Sequence, residues 1–183
     1  MSHNFTNFKN ELKKVEDFLS KSYSELNIGR ASPIVLDSVL VESYGMKQPI
    51  KNVASVAIED PKTLRINPWD KSVIKEIERS IQAANLGLST AVDEAGLRVI
   101  FPQLTGETRQ KLVKVLKDKL EDARISVRKV RQDEMDTLET AKKNTELTED
   151  ELKRAKDELQ KLVDESNKNL ENIFTKKENE VLN

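Results

Sequence analysis

The chain has no cysteine, which excludes disulfides, thiolate nucleophiles and thiolate metal ligands and suits a reducing compartment. Its single histidine, His3, falls in an N-terminal stretch expected to fray, so neither a nucleophile–histidine pair nor a histidine-based metal site can be assembled. No Gly-x-x-x-x-Gly-Lys or Gly-x-Gly-x-x-Gly loop is present to cradle a nucleotide phosphate. Carboxylates are plentiful but are scattered over expected helix surfaces and turns, so no enzyme, cofactor or metal is expected. No apolar run approaches the roughly 20 residues of a membrane helix, and the start, MSHNFTNFKN, has no signal-peptide core. A soluble, cytoplasmic protein is expected.

Glycine and proline are scarce, and their placement divides the chain. All five glycines (29, 45, 87, 96 and 106) and all five prolines (33, 49, 61, 68 and 102) lie between residues 29 and 106 of 183. These are the strongest helix breakers, so flanks without them and a middle dense with them predict two kinds of structure.

In the first flank Phe5, Phe8, Leu12, Val15, Leu19, Ser22 and Leu26 keep a three-four alternation, the pattern of a helix with a narrow apolar seam. Val113, Leu116, Leu120, Ala123, Val127 and Val130 resume it in a helix predicted from 107 to about 143, about 55 Å long at 1.5 Å per residue. A third segment opens on Thr148 and Glu151, an S/T-x-x-E capping box, and continues through Leu152, Ala155, Leu159, Leu162, Leu170 and Ile173. Such stripes cannot be buried singly, so an elongated antiparallel three-helix bundle is expected from 1–28 and 106–183.

The middle, 31–104, alternates short β-branched stretches (Val39 to Tyr44, Val53 to Glu59, Thr63 to Asn67, Leu97 to Phe101) with turn material and one helix bearing Ile74, Ile77, Ile81 and Ala84 on one face. The fold class is therefore α+β: a small β/α/β domain inserted into a helical bundle through two crossings of chain. NIGRASP is the first crossing and FPQLTGE the second. A hinge at 29–30 and 104–106, using Gly29, Arg30, Leu104, Thr105 and Gly106, is one reading; ordinary punctuation of helix ends is the other. Trp69, in INPWD, is either a stacking or contact residue or, the commoner fate beside a strand, packing.

Charge is uninformative as a total, with 31 basic and 32 acidic residues, and informative as a distribution. Between Arg109 and Arg131 there are nine basic residues and three acidic ones, a net +6. At 100° per residue Lys114, Lys117, Arg124, Arg128 and Arg131 fall within about 100° of one another, beside the apolar seam. Arginine forks suit phosphate oxygens, so the stripe fits a polyanion such as RNA. The alternative is a solvated face with intrahelical ion pairs, such as Glu121 with Lys117 or Arg124.

Gly29-Arg30-Ala31-Ser32-Pro33, Leu36-Asp37, Tyr44-Gly45, Pro49-Ile50, Ala54-Ser55-Val56 to Asp60-Pro61, Asn67-Pro68-Trp69-Asp70, Leu86-Gly87-Leu88 and the ARISVRKVRQD stretch together resemble the ribosome recycling factor family, in order and over nearly the whole chain. The resemblance implies an L-shaped, tRNA-like protein with the bundle as its long arm and the small domain hinged at the elbow. It implies a monomer that binds the post-termination 70S-type ribosome through large-subunit ribosomal RNA and works with the GTPase elongation factor G. The RNA-contacting arginines of the family carry over onto Arg128 and Arg131, then Arg124, Arg109 and Lys117, with Lys114 on the same stripe. Arg30 occupies the elbow. The chain departs from the family's common pattern at Asn27-Ile28 and Gln132, each removing positive charge, and at Gly106, where an acidic residue is common. The contrasting reading is a coiled-coil adaptor or scaffold with no ribosome activity.

Overall fold

The computed structural model of the chain describes residues 3–183. Its elements, in order, are α1 (Thr6–Ser24), β1 (Leu40–Ser43), β2 (Met46–Pro49), α2 (Ile50–Val53), β3 (Ala54–Asp60), β4 (Thr63–Pro68), α3 (Ile74–Ala83), β5 (Ser89–Asp93), β6 (Gly96–Ile100), α4 (Gly106–Lys143) and α5 (Glu149–Leu182), with 3-10 turns at Pro33–Leu36 and Lys71–Val73. The fold is α+β. Residues up to Tyr23 group with Gln110–Asn183 into one compact unit, and Ser24–Arg109 form the other.

The first unit is a bundle of α1, α4 and α5, each antiparallel to its neighbour in sequence. The direction follows from the contacts: Tyr23 Oη donates to the Leu116 carbonyl (2.7 Å), and His3 Nε2 meets Glu134 Oε1 (2.6 Å), so α1 runs against α4. Lys142 pairs with Glu149, Lys156 with Glu139 and Arg124 with Glu171, so α5 runs back along α4. The seams bury Phe8, Leu12 and Leu19 of α1, Leu116, Leu120, Ala123, Val127 and Leu138 of α4, and Leu152, Ala155, Leu159 and Leu170 of α5. The core is wider than the seam read from sequence, because Tyr23, Val163, Phe174 and Val181 are buried as well. His3 does not fray: it is half-buried, hydrogen-bonded to Glu134 and stacked edge-on against Phe5 at 4.8 Å between ring centroids.

α5 begins where the capping box places it. Thr148 Oγ1 accepts from the Glu151 amide, and the Glu151 carboxylate accepts from the Thr148 amide (2.9 Å), satisfying donors the helix leaves open. One polar cluster interrupts the α1–α5 seam: Glu16 Oε1 accepts from Ser166 Oγ (2.9 Å) and Asn169 Nδ2 (3.2 Å).

The second unit packs α3 on a four-stranded antiparallel sheet of order β3-β4-β6-β5, with β1 and β2 as a separate hairpin. Period-two alternation puts Leu64 and Ile66 of β4 and Leu97 and Val99 of β6 on one face, where Ile77 and Ile81 of α3 join the same core. Two strands escape sequence reading. β2 (MKQP) has no apolar alternation, and β5 (STAVD) is an edge strand with exposed residues on both faces. The β1–β2 turn holds both Tyr44 (φ 52°) and Gly45 (φ 76°) in the left-handed region, as a two-residue hairpin turn matched to strand twist requires. Gly96 is demanded sterically, since a Cβ there would lie 2.3 Å from the Ile66 carbonyl oxygen.

Candidate nucleic-acid interface

The basic stripe lies on α4, a helix whose apolar seam (Leu116, Leu120, Ala123, Val127 and Leu138) is committed to the bundle, so its cations are held on a stiff support. Lys114 and Arg128 span 14 positions, about 21 Å along the axis. Among the described residues, Lys114, Lys117 and Arg128 are exposed and have no ion-pair or hydrogen-bond partner. Three guanidinium or ammonium groups thus face solvent with their full charge.

The remaining members differ. Arg124 is half-buried and held by two carboxylates, Nη1 to Glu121 Oε1 at 2.6 Å and Nη2 to Glu171 Oε2 at 2.5 Å. The intrahelical pair with Glu121 was legible as the alternative reading of the stripe. The pair with Glu171 was not, because 47 residues and a helix reversal separate the two. Arg131 is half-buried, and its Nε donates to Gln160 Oε1 at 3.3 Å. Arg109 is half-buried in the first turn of α4, where its amide donates to the Thr105 carbonyl (3.0 Å). The structure therefore gathers all six predicted cations on one helix and separates three free charges from three engaged or partly covered ones. Ile125, 56% exposed and on the outer side of α4 next to Arg128, adds an apolar element that the charge pattern did not reveal.

The crossing residues lie in the second unit. Gly29 is buried with φ 77°, and a Cβ on it would lie 3.1 Å from the Pro102 carbonyl oxygen and 3.3 Å from Leu104 Cγ. Glycine is needed there both for the left-handed backbone and for the close approach. Gly106 is different: it is the first residue of α4, with open space where a Cβ would go. Thr105 caps α4, its Oγ1 accepting from the Thr108 amide at 3.2 Å. Arg30 is exposed, with no partner among the described residues.

Trp69 is 71% exposed, so the packing alternative is not what the fold uses. Its amide donates to the Val53 carbonyl (3.0 Å), and its residue lines a cleft of about 330 Å³ with Pro33, Leu36, Pro49, Ile50 and Val56. Next to it, the Tyr44 hydroxyl donates to Asp70 Oδ2 at 2.5 Å. That bond holds the Asp70 carboxyl below and the Tyr44 phenol above their ordinary ionisation ranges. Among the described residues no cluster of His, Cys, Asp or Glu could hold a metal, and no helix is long and apolar enough to cross a membrane.

A discontinuous helical bundle carrying a row of exposed cations, with a small sheet unit spliced into its first loop, defines the class as an α+β protein built around a charged helix. Comparison with known proteins makes this specific. The sequence profile described as Ribosome recycling factor matches residues 19–182, and the chain belongs to the ribosome recycling factor family. The ribosome-recycling factor of Caldicellulosiruptor saccharolyticus is 38% identical over 172 residues, covering 94% of each chain. A solution structure of a ribosome recycling factor superposes with a TM-score of 0.75 at 31% identity, covering 97% of this chain and 95% of the other. A second structure describes models of the T. thermophilus ribosome recycling factor and the E. coli elongation factor G bound to the E. coli post-termination complex. Its matching chain has a TM-score of 0.65 and 34% identity, covering 98% of this chain and 97% of that one.

Proposed function

We propose that this chain is a cytoplasmic, monomeric translation factor that binds the post-termination ribosome through large-subunit ribosomal RNA and, with elongation factor G and GTP, splits it into subunits. The observation that carries the reading is the row of unpaired Lys114, Lys117 and Arg128 on α4, in a member of a family with a structural relative described in the post-termination complex with elongation factor G. The cations of such a row replace counterions condensed along the RNA phosphates, and release of those ions drives association. Arg131 and Arg109 extend the footprint at either end, and Arg124 lies beside it within its carboxylate pair.

On this reading the helical bundle docks and the sheet unit receives the push of elongation factor G. The two crossings of chain act as the hinge that lets the small domain swing without opening either core. GTP chemistry belongs to the partner, which accounts for a chain that carries no acid–base or nucleophile set of its own.

The test is polysome breakdown. Purified chain is incubated with post-termination ribosomes, elongation factor G and GTP while light scattering is followed. Loss of scattering that requires both factors and GTP is the expected result. A folded, ribosome-bound chain that leaves scattering unchanged with elongation factor G from its own source would refute the splitting activity.

A further inference from the structure

Three anchors tie the first crossing to the second unit. The Asn27 side-chain amide bridges two backbone groups: Nδ2 donates to the Leu86 carbonyl (3.1 Å), and Oδ1 accepts from the Gly29 amide (2.9 Å). Leu86 itself packs against the hydrophobic core of that unit, as does Ala31. Gly29, in its left-handed conformation, lies against Pro102 and Leu104 of the returning chain. The Ala31 amide then donates to the Pro61 carbonyl (2.9 Å), at the turn between β3 and β4. The returning chain is anchored in the same way, the Phe101 amide donating to the Lys62 carbonyl (2.8 Å). Residues 27–31 therefore belong mechanically to the sheet unit. α1 ends at Ser24, so only Glu25 and Leu26 separate the last helical turn from the first anchored residue.

We propose that Asn27 is a positioning residue: its amide clamps residues 27–31 to the sheet unit, so that bending of the first crossing is confined to Glu25 and Leu26 instead of occurring at Gly29. The glycine is then a shaped joint, rigid in use, whose backbone is fixed by Asn27 on one side and by Pro102 and Leu104 on the other. An asparagine fills this role because it presents a donor and an acceptor in one plane, one for each backbone group. The consequence for recycling, which rests on the function proposed above, is that the small domain moves with a short, defined lever in place of a loose tether.

Amide hydrogen exchange by NMR on the full chain tests the clamp without the ribosome. In Asn27→Ala the amides of Gly29 and Ala31 should exchange on the order of tenfold faster, with Leu64, Val99, Leu120 and Leu170 unchanged, since two local hydrogen bonds are lost and no core is touched. Asn27→Asp keeps the acceptor and loses the donor, so Gly29 should stay closer to wild type than in the alanine variant. Unchanged exchange at Gly29 and Ala31 would overturn the clamp, and equal acceleration at Leu64 and Val99 would make Asn27 a residue of general stability only. In the splitting assay Asn27→Ala should slow scattering loss several-fold while ribosome binding is retained; parallel loss of both would overturn the positioning role. If the wild-type chain itself fails to split ribosomes, the recycling reading falls and the exchange data alone decide the clamp.

Discussion

The three unpaired cations of α4 allow the proposed RNA footprint to be tested as a number. Each phosphate contact contributes about 0.7 to 0.9 to the slope of log affinity against log salt. If Lys114, Lys117 and Arg128 each make one such contact, the triple alanine variant should lose about 2 to 3 units of slope. Between about 50 and 200 mM salt, a fourfold range, that corresponds to wild-type affinity falling about 20- to 40-fold more than the variant's. The side chains are solvent-exposed and partnerless, so their removal should leave the thermal midpoint nearly unchanged, which separates a binding effect from misfolding. Arg124→Ala is the contrasting perturbation. It strands Glu121 and Glu171 beside the stripe, so it should weaken binding through added negative charge while changing the slope less than Arg128→Ala does. Ribosome binding followed by pelleting or fluorescence across the salt series gives both quantities. A triple variant with the wild-type slope would remove this face of α4 from the interface and with it the reasoning that free charges mark the footprint.

Two further outcomes follow from the backbone and the bundle core. Gly29→Ala should destabilise the sheet unit by about 1 to 3 kcal/mol, from the left-handed backbone and the approach to Pro102 and Leu104, whereas Gly106→Ala, in an open first helical turn, should be neutral or slightly stabilising; paired thermal melts decide this. Burial, helped by the Glu171 carboxylate, raises the Tyr23 phenol from 10.0 to about 12. The unfolded chain gives up that proton first, so the contribution is intact below pH 10 and is lost as pH climbs toward about 12. Tyr23→Phe should flatten that part of the stability curve relative to wild type, at the cost of the bond to Leu116, and parallel curves would show that Tyr23 carries no such linkage.

The helices were legible because their signals are local: a repeated apolar spacing, a capping box at Thr148 and an absence of breakers. The stripe on α4 was legible for the same reason, since one helix carries all of it. What the sequence hid depends on neighbours remote along the chain. Glu171 neutralises Arg124 only once α5 has folded back, and Val163 and Phe174 are core residues only because three helices enclose them. β5 reads as a loop until β6 offers it a ladder from Ser89 opposite Ile100 to Asp93 opposite Gly96. Asn27 gave no signal of this role, because an asparagine near a glycine in a crossing says nothing of a carbonyl 59 residues away.

The polar cluster of Glu16, Ser166 and Asn169 bears on how the bundle assembles. α4 and α5 form a hairpin through a short connection and can find each other quickly, but α1 joins them only after a loop of some 80 residues has closed. A plain apolar seam would accept α1 one turn up or down at little cost. With Glu16 on that seam, a slipped helix leaves a carboxylate without its hydroxyl and amide donors, so the late-arriving strand of the bundle is proofread by three side chains before it is accepted.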